Sequence, residues 1–382
     1  MQSVGPESTV VGRLGVPFLD LGRLHRDLKS DVLAAVSELV DSSAFTNGPQ
    51  VRQFEQAFAA WCGASRCVGT ASGLDALRLA LLSAGIERGD EVVVPANTFV
   101  ATFEAVTQAG GQPVPADVTE EDYNLDPEAV AAAIGPRTRF LLPVHLYGQM
   151  ADMRALREIS ERHDLRIVED ACQAHGASRD GLRAGTAGLA GAFSFYPGKN
   201  LGAMGDAGAL VTDDEELASS VEALREHGQR AKYHHELEGY TARLDTIQAL
   251  VLLRKLPELE RWNEERQTVA RSYSSSLAGV GDLRLPPVPA GSDPVWHLYA
   301  VRTAAPQRLA DFLADRGIGS GRHYPEPAHL SPAYAWLGLG EGAFPVTEAL
   351  SAELLSLPIF PGMTEEETAI VVDGVSAYFE RG

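Results

Sequence analysis

The sequence contains little cysteine and no long apolar run. Its 382 residues include only three cysteines, Cys62, Cys67 and Cys172, which are too few and too scattered for a disulfide scaffold or a tetrahedral metal site. No stretch approaches the roughly 18 consecutive apolar residues of a membrane-spanning helix. The N-terminus lacks the basic segment and apolar stretch of a secretory signal. We therefore expect a reduced, cytoplasmic protein with no membrane partner.

The sequence also lacks an excess of basic residues. With 32 Lys and Arg against 52 Asp and Glu, the formal net charge is −20, which argues against nucleic acid or an anionic membrane as a partner. There is no G-x-G-x-x-G fingerprint and no Walker lysine, so a nicotinamide oxidoreductase and a P-loop enzyme both lose support. A basic cluster at Arg225, His227, Arg230 and Lys232 is either a local anion-binding surface or a solvated loop.

Short apolar segments alternate with amphipathic ones between residues 54 and 212. The predicted strands are 67–70, 91–95, 112–117, 139–144, 166–170, 191–195 and 208–212. The predicted helices between them include 73–85, 99–109, 127–133 and 153–163. Apolar strands that alternate with helices indicate an α/β fold with a mainly parallel sheet, covered by helices on both faces.

The length and the pattern together predict two domains. Residues 1–15 are polar and rich in glycine, and we expect a flexible leader there. Residues 16–250 form the predicted large domain. A helical pattern over 246–277 links it to the rest of 251–382, where a smaller α+β domain is predicted from the segments 294–303, 306–316 and 322–327.

Lys199 and Asp170 are the residues that indicate a chemistry. Asp170 ends a predicted strand, and Lys199 follows about thirty residues later in a turn rich in Gly and Asn. A lysine amine can form a Schiff base with the aldehyde of pyridoxal phosphate (PLP), while a carboxylate keeps the pyridine nitrogen protonated so that the ring withdraws electrons. Taken singly, Lys199 and Asp170 are better explained as solvated surface residues, and Asp170 also as a helix N-cap, so the residues around them have to decide.

Other residues that suit a PLP site also follow predicted strands, at the edge where parallel sheets bind ligands. Gly73 and Leu74 open a helix, where backbone amides can bind a phosphate, and the Ser194 hydroxyl can donate to the same group. Phe99 can stack on a flat ring or pack in the core. Gln173 can reach the phenolic oxygen of the cofactor.

In this order and spacing, the motifs resemble the DegT/StrS family of sugar aminotransferases, which are PLP enzymes of fold type I. The resemblance covers nearly the whole chain, and the order of its motifs is more specific than any one of them. The landmarks are Thr46-Asn47-Gly48-Pro49, Ser72-Gly73-Leu74-Asp75-Ala76-Leu77, Val144-His145-Leu146-Tyr147-Gly148, Glu169-Asp170-Ala171, the run from Phe193 to Asn200, and Arg243-Leu244-Asp245-Thr246.

The resemblance implies a fold-type-I architecture with a seven-stranded sheet, and it implies roles for the residues above. Lys199 and Asp170 would be catalytic and would also bind PLP. The other predicted cofactor-binding residues are Gly73, Leu74, Phe99, Gln173, Ser194 and Thr241.

The resemblance also implies a homodimer whose active sites are shared between the two copies. Tyr233, His235 and Arg243 belong to a loop that would reach the neighbour's substrate, and Tyr324 is a further predicted substrate contact. The family usually has Asn where this chain has Thr241, so the phosphate contact across the dimer would depend on a threonine hydroxyl.

The activity implied by the family is transamination of a nucleotide-linked keto-6-deoxyhexose, with L-glutamate as the amino donor. The resemblance is closest to antibiotic-pathway enzymes that act on 3-keto sugars, so C3 amination of a dTDP-linked sugar is favoured. The 4-keto enzymes are an alternative. Family members that are dehydratases carry His in place of the lysine, and Lys199 argues against that branch. A regulatory protein that binds PLP or a sugar without turnover is a rival from another class.

Overall fold

The computed structural model describes residues 15–380. The leader expected at 1–15 lies outside the described residues, apart from Gly15. The α-helices are α1 (Leu21–Arg26), α2 (Lys29–Ser42), α3 (Pro49–Cys62), α4 (Gly73–Ser83), α5 (Ala101–Gln108), α6 (Pro127–Ala133), α7 (Met153–His163), α8 (Glu215–Arg225), α9 (Thr246–Lys255), α10 (Leu259–Ser276), α11 (Pro306–Ala314), α12 (Pro345–Glu353) and α13 (Glu365–Phe379). Short 3₁₀ segments cover Leu146–Gly148, Leu256–Glu258, Ala328–Leu330 and Pro332–Leu337.

The strands form one large sheet and three small ones. The strands are β1 (Arg66–Thr70), β2 (Glu91–Pro95), β3 (Gln112–Ala116), β4 (Thr138–Leu141), β5 (Arg166–Asp170), β6 (Ser178–Arg179), β7 (Leu182–Arg183), β8 (Ala190–Ser194), β9 (Gly208–Thr212), β10 (Gln229–Ala231), β11 (His234–His235), β12 (Ser292–Asp293), β13 (Tyr299–Arg302) and β14 (Leu354–Leu357). The large sheet has seven strands in the order β1-β9-β8-β5-β4-β2-β3.

The large sheet is parallel except for β9, which runs antiparallel to both of its neighbours. The predicted mainly parallel, seven-stranded sheet is therefore confirmed. Its strands are apolar without alternation because helices cover both faces: Val92, Val93 and Val94 of β2 are all fully buried. The predicted strand 139–144 is too long, since Pro143 has no N–H to donate to a ladder and the regular pairing ends at Leu141.

The helical pattern over 246–277 is not one helix, contrary to prediction. The structure has α9, a 3₁₀ turn and then α10, with Pro257 inside the turn. Proline lacks the N–H for an i to i−4 hydrogen bond, and its ring clashes with the preceding turn. Among the other predicted helices, 127–133 and 153–163 match α6 and α7 residue for residue. The helix predicted at 99–109 begins two residues later, at Ala101.

The C-terminal part has a hydrophobic core of its own. Strands β13 and β14 pair antiparallel, and helices α10, α11 and α13 supply buried residues such as Tyr273, Leu313 and Val371. Val16 packs in the same core and bridges to Ile318. This core is the smaller α+β domain of the fold, while the division at residue 250 stays a prediction.

The carboxyl ends of three parallel strands meet at one edge of the sheet. Thr70 ends β1, Asp170 ends β5 and Ser194 ends β8. In parallel sheets, ligands bind at this edge, because the loops that follow the strands converge there.

Candidate active site

Lys199 and Asp170 line one cavity of about 430 Å³ at this edge of the sheet. Lys199 lies in the turn after β8, where its N–H donates to the Tyr196 carbonyl at 2.8 Å. Burial lowers the pKa of the Lys199 amine, and the nearby Cys172 and Asp170 oppose that shift. The lysine is thus placed where its unprotonated, nucleophilic form becomes accessible at lower pH than for a solvated lysine.

Asp170 is not a helix N-cap, because a turn follows it and no helix. Its side chain is only 6% exposed. One carboxylate oxygen accepts a hydrogen bond from the Thr102 hydroxyl at 3.0 Å, and the other accepts from the Cys172 amide at 3.1 Å. These two bonds fix the direction in which the carboxylate faces the cavity.

The first turn of α4 forms a narrow cradle beside Lys199. Ser72 caps the helix by accepting from the Asp75 amide at 3.1 Å, and the amides of Gly73 and Leu74 come earlier in the turn, where no intrahelical acceptor exists. A Cβ on Gly73 would lie 2.7 Å from the Cys172 Sγ and 2.8 Å from the Ser194 Cβ. Glycine is therefore required for the helix end to approach Ser194 this closely.

Phe99 is not a core residue, since its side chain is 49% exposed. It borders the cavity, with its ring centroid 5.3 Å from that of Tyr324. The Tyr324 hydroxyl accepts a hydrogen bond from Gln173 Nε2 at 3.1 Å, and Gln173 Oε1 accepts from the Tyr147 amide at 2.8 Å. Burial raises the pKa of Tyr324, so its hydroxyl keeps its proton.

The structure thus brings together eight of the predicted site residues around one cavity. They are Gly73, Leu74, Phe99, Asp170, Gln173, Ser194, Lys199 and Tyr324.

Four further predicted residues, Tyr233, His235, Thr241 and Arg243, are not among the residues that line this cavity in the described part of the chain. Tyr233 is 81% exposed. The exposed Thr241 hydroxyl lies 3.3 Å from His227 Nε2.

His235 and Arg243 make hydrogen bonds within their own segment. His235 Nδ1 lies 2.9 Å from the His227 carbonyl oxygen, and Arg243 Nη1 donates to Glu226 Oε1 at 2.9 Å. Within one chain, these hydrogen bonds link the two side chains to residues 227 and 226 and not to the lining of the Lys199 cavity.

Two arginines of the basic cluster are paired with acids. Arg225 Nη1 contacts Glu55 Oε1 at 2.5 Å, and Arg230 Nε contacts Glu236 Oε2 at 2.9 Å. Their charges are compensated within the chain, so the cluster provides less free positive charge than its sequence indicates.

The cavity also includes residues that were not predicted from the sequence as site residues. They are Phe18, Leu19, Arg266, His297 and His323, among others. Burial lowers the pKa of His297 well below its ordinary value and that of His323 to about 4. These residues come from segments that are distant from one another in the sequence.

The residues present fit a PLP molecule. The cradle at Gly73 has amide and hydroxyl donors for a phosphate, Asp170 offers a fixed carboxylate for a ring nitrogen, and Lys199 offers an amine for an aldehyde. Phe99 adds an exposed aromatic face at the mouth of the same cavity.

Two other kinds of site find no support between residues 15 and 380. No group of three or more His, Cys, Asp or Glu side chains is arranged to hold a metal ion. No helix in that range is long and apolar enough to cross a membrane.

The fold and the cavity define an aminotransferase of the PLP-dependent, fold-type-I class. The chain belongs to the DegT/DnrJ/EryC1/StrS aminotransferase family, whose model matches residues 26–376. The family expected from the motifs is confirmed, and so is PLP as its cofactor.

Two curated relatives show how far the similarity extends. The dTDP-3-amino-3,4,6-trideoxy-alpha-D-glucose transaminase of Streptomyces venezuelae is 48% identical over 96% of this chain and 97% of its own length. The erythromycin biosynthesis sensory transduction protein EryC1 of Saccharopolyspora erythraea is 47% identical over 95% of this chain and all of its own.

Two solved structures share the fold. DesV of S. venezuelae superposes with a TM-score of 0.94 at 49% identity, over 96% of this chain and 99% of its own. NtdA of Bacillus subtilis, solved with the cofactor PMP bound, has a TM-score of 0.89 at 32% identity, over 98% of this chain and 87% of its own.

Proposed function

We propose that this aminotransferase transfers the amino group of L-glutamate to C3 of a dTDP-linked keto-6-deoxyhexose, for the glycosylation of a secondary metabolite. The observation that carries the proposal is the single cavity in which Lys199, Asp170 and the Gly73 cradle meet. The substrate rests on the 48% identical S. venezuelae transaminase, whose product is a dTDP-3-amino sugar.

Lys199 acts in this proposal as the acid–base residue. Its amine takes the proton from the α-carbon of the amino donor and later returns a proton to C3 of the sugar. The lowered pKa of Lys199 supports this role, because the amine must be unprotonated when it accepts the proton. Asp170 holds a proton on the ring nitrogen of the cofactor.

When bound, PLP supplies an electron sink for the charge that develops at the carbon losing its proton. The amides of Gly73 and Leu74 and the Ser194 hydroxyl would hold its phosphate, Phe99 would stack against the ring, and Gln173 would contact the phenolic oxygen.

We also propose that the protein works as a homodimer in the cytoplasm. Exposed apolar side chains at Leu33, Val40, Phe45 and Ile247 support a partner surface, since such groups favour burial. Tyr233, His235, Thr241 and Arg243 then serve the cavity of the second copy. Three free cysteines support a reducing compartment.

The test is an absorbance experiment on the purified holoenzyme. L-glutamate is expected to convert the cofactor to its amino form, and dTDP-3-keto-6-deoxyglucose to restore the original spectrum. The 4-keto isomer is added in a separate cuvette. Recovery with the 4-keto sugar alone would assign the amination to C4, and no response to L-glutamate would contradict the proposed donor.

A further inference from the structure

His297 is a histidine of the Lys199 cavity to which the proposed function gives no role. It lies in the loop between β12 and β13 and borders the cavity. Its Nδ1 lies 3.2 Å from Oδ1 of Asn200, the residue after Lys199. A neutral imidazole has one N–H donor and one acceptor nitrogen, and the partners of the ring decide which is which. The partners of Asn200 therefore determine what the second ring nitrogen of His297 can do.

Two backbone carbonyls fix the direction of the hydrogen bonds behind His297. Asn200 Nδ2 donates to the Val295 carbonyl at 3.0 Å and to Asn263 Oδ1 at 2.9 Å, and Asn263 Nδ2 donates to the His175 carbonyl at 2.9 Å. A carbonyl oxygen only accepts, so the orientation of both side-chain amides follows from these bonds. Both asparagines are buried. Asn200 Oδ1 is thus an acceptor, and His297 Nδ1 must carry the proton that it receives.

The other ring nitrogen of His297, Nε2, is then an acceptor. Burial lowers the pKa of His297 well below its ordinary value, and the charge of Lys199 acts in the same direction, so the ring is neutral near neutral pH. Nε2 makes no hydrogen bond within residues 15–380, yet it is not closed off inside the protein as both ring nitrogens of His175 are. The cavity wall therefore presents one open, uncharged acceptor on the segment that is bonded to the Lys199 turn.

We propose that His297 Nε2 accepts a hydrogen bond from a sugar hydroxyl on a carbon next to the ketone. This inference deepens the proposed function, because it assigns a specificity-determining contact with the ketosugar in the same cavity. In that function Lys199 returns a proton to C3, so the hydroxyl groups that come near it are those on C2 and C4.

The chemistry of Nε2 excludes most other groups of the two substrates. Its lone pair repels the carboxylates of the amino donor and the diphosphate of the nucleotide, so only hydroxyl and amino groups suit it. The amino group of the donor must give up protons as it reacts with the cofactor, whereas a sugar hydroxyl keeps its proton throughout. A site that is built to bind a hydroxyl discriminates against a sugar that lacks it, because the acceptor is then left unpaired.

Two substitutions at His297 separate the roles of its ring nitrogens. His297→Asn keeps an amide N–H near the position of Nδ1, where it can still donate to Asn200, and it has no atom at the position of Nε2. His297→Gln reaches the position of Nε2 with an oxygen that can accept, and it loses the bond to Asn200. A purely structural role would therefore tolerate Asn at least as well as Gln.

The chain offers a further control at His329. This histidine is also buried, at 1% exposure, and does not line the Lys199 cavity among the described residues. His329→Asn removes a buried imidazole away from the cavity. Any general effect of such a loss on sugar binding would appear in this variant too.

The experiment measures binding of dTDP-6-deoxyglucose, which has no ketone and cannot be aminated, to the holoenzyme by calorimetry. Its 2-deoxy and 4-deoxy analogues are measured beside it. In the wild type, loss of the hydroxyl that His297 binds should weaken binding about 10- to 100-fold. His297→Asn should bind the parent sugar weakly and no longer distinguish it from that analogue. His297→Gln should recover part of the discrimination, and His329→Asn should discriminate like the wild type.

Equal binding of all three sugars by the wild type would overturn the proposal, as would unchanged discrimination in a folded His297→Asn protein. If that variant does not fold, a crystal structure of the wild-type holoenzyme with dTDP-6-deoxyglucose decides. A C2 or C4 hydroxyl on His297 Nε2 supports the proposal, and any other group there refutes it.

The result is separable from the proposed function because these sugars cannot react. Normal hydroxyl discrimination without transamination of a ketosugar would count against the proposed function alone. Transamination without hydroxyl discrimination would count against the role of His297 alone. Absence of binding for all three sugars would overturn both.

Discussion

The cavity around Lys199 and the exposed segment from His227 to Arg243 differ in how complete they are within one chain. In the cavity, Asp170 accepts a hydrogen bond from the Thr102 hydroxyl and Gln173 accepts one from the Tyr147 amide, and both donors come from other parts of the fold. In the exposed segment, most polar contacts stay within the segment or involve the adjacent Glu226.

This difference shows which part of the proposed site is complete within one chain. A buried polar group must be satisfied where it lies, which fixes the cavity. The polar groups of the exposed segment, which includes Tyr233, can instead form hydrogen bonds with water or with a second molecule. The comparison leads to four predictions, two on the cavity, one on the segment and one on the core behind Lys199.

The largest effect is expected at Lys199. Lys199→Ala should lower turnover at least about 1,000-fold, because it removes both the proton-transfer group and the nucleophile. Steady-state kinetics measure the loss, and an unchanged far-UV circular dichroism spectrum shows that the chain still folds. Retained transaminase activity would refute the assignment of Lys199.

The next effect is expected at Asp170. Asp170→Asn should reduce turnover at least about 100-fold, because an amide does not hold the ring nitrogen protonated. Thr102→Val is the matched control, since it keeps the carboxylate and removes one of its two hydrogen bonds. Its loss should stay below about tenfold. Comparable losses of turnover in both variants would mean that only the orientation of the Asp170 side chain matters. That result would contradict the role of its charge in keeping the ring nitrogen protonated.

The exposed segment is tested by mixing two variants. Arg243→Ala should lose about tenfold in turnover if it serves a substrate anion. In the proposed homodimer, refolding Arg243→Ala with Lys199→Ala at equal amounts would make half of the dimers mixed, and each mixed dimer would have one intact site of two. Activity should therefore recover to about a quarter of the wild type. No recovery would show that Arg243 acts within its own chain, or not at the site.

The smallest effect concerns stability behind the cavity. His175 is fully buried between Phe193 and Phe195, and burial lowers its pKa to about 3. The unfolded chain binds this proton near pH 6.5 and the folded chain does not, so stability is lost as pH falls from about 6.5 toward 3.

Replacing His175 by Leu should therefore remove about 2 kcal/mol of the stability loss between pH 7 and pH 5. Urea unfolding of the wild type and of His175→Leu at both pH values measures the difference. If both proteins lose the same free energy of unfolding on acidification, the histidine is not buried in its neutral form.

Much of the cavity was predictable because its residues follow strands. Asp170, Ser194 and Gly73 stand at or just after strand ends, and parallel strands end at the same edge of the sheet. Arg266, His297 and His323 were not predictable in this way. They reach the cavity from α10 and from loops near β13 and β14. The position of these segments beside the cavity depends on the tertiary fold.

The positive charge available at one surface is smaller than the sequence alone indicates. The basic cluster at 225–232 reads as free positive charge, whereas Glu55 and Glu236 compensate two of its arginines. Glu55 lies 170 residues from Arg225 along the chain, so this ion pair could not be predicted from the neighbouring sequence.

By itself, the sequence determined the sheet and the family, and it predicted Lys199 and Asp170 as the central residues, because strand periodicity and motif order are local properties. Only the tertiary structure decided that Phe99 is exposed at the cavity rather than buried in the core, and that Asp170 caps no helix. Burial and ion pairing depend on which distant segments pack together, and that is settled only when the chain is folded.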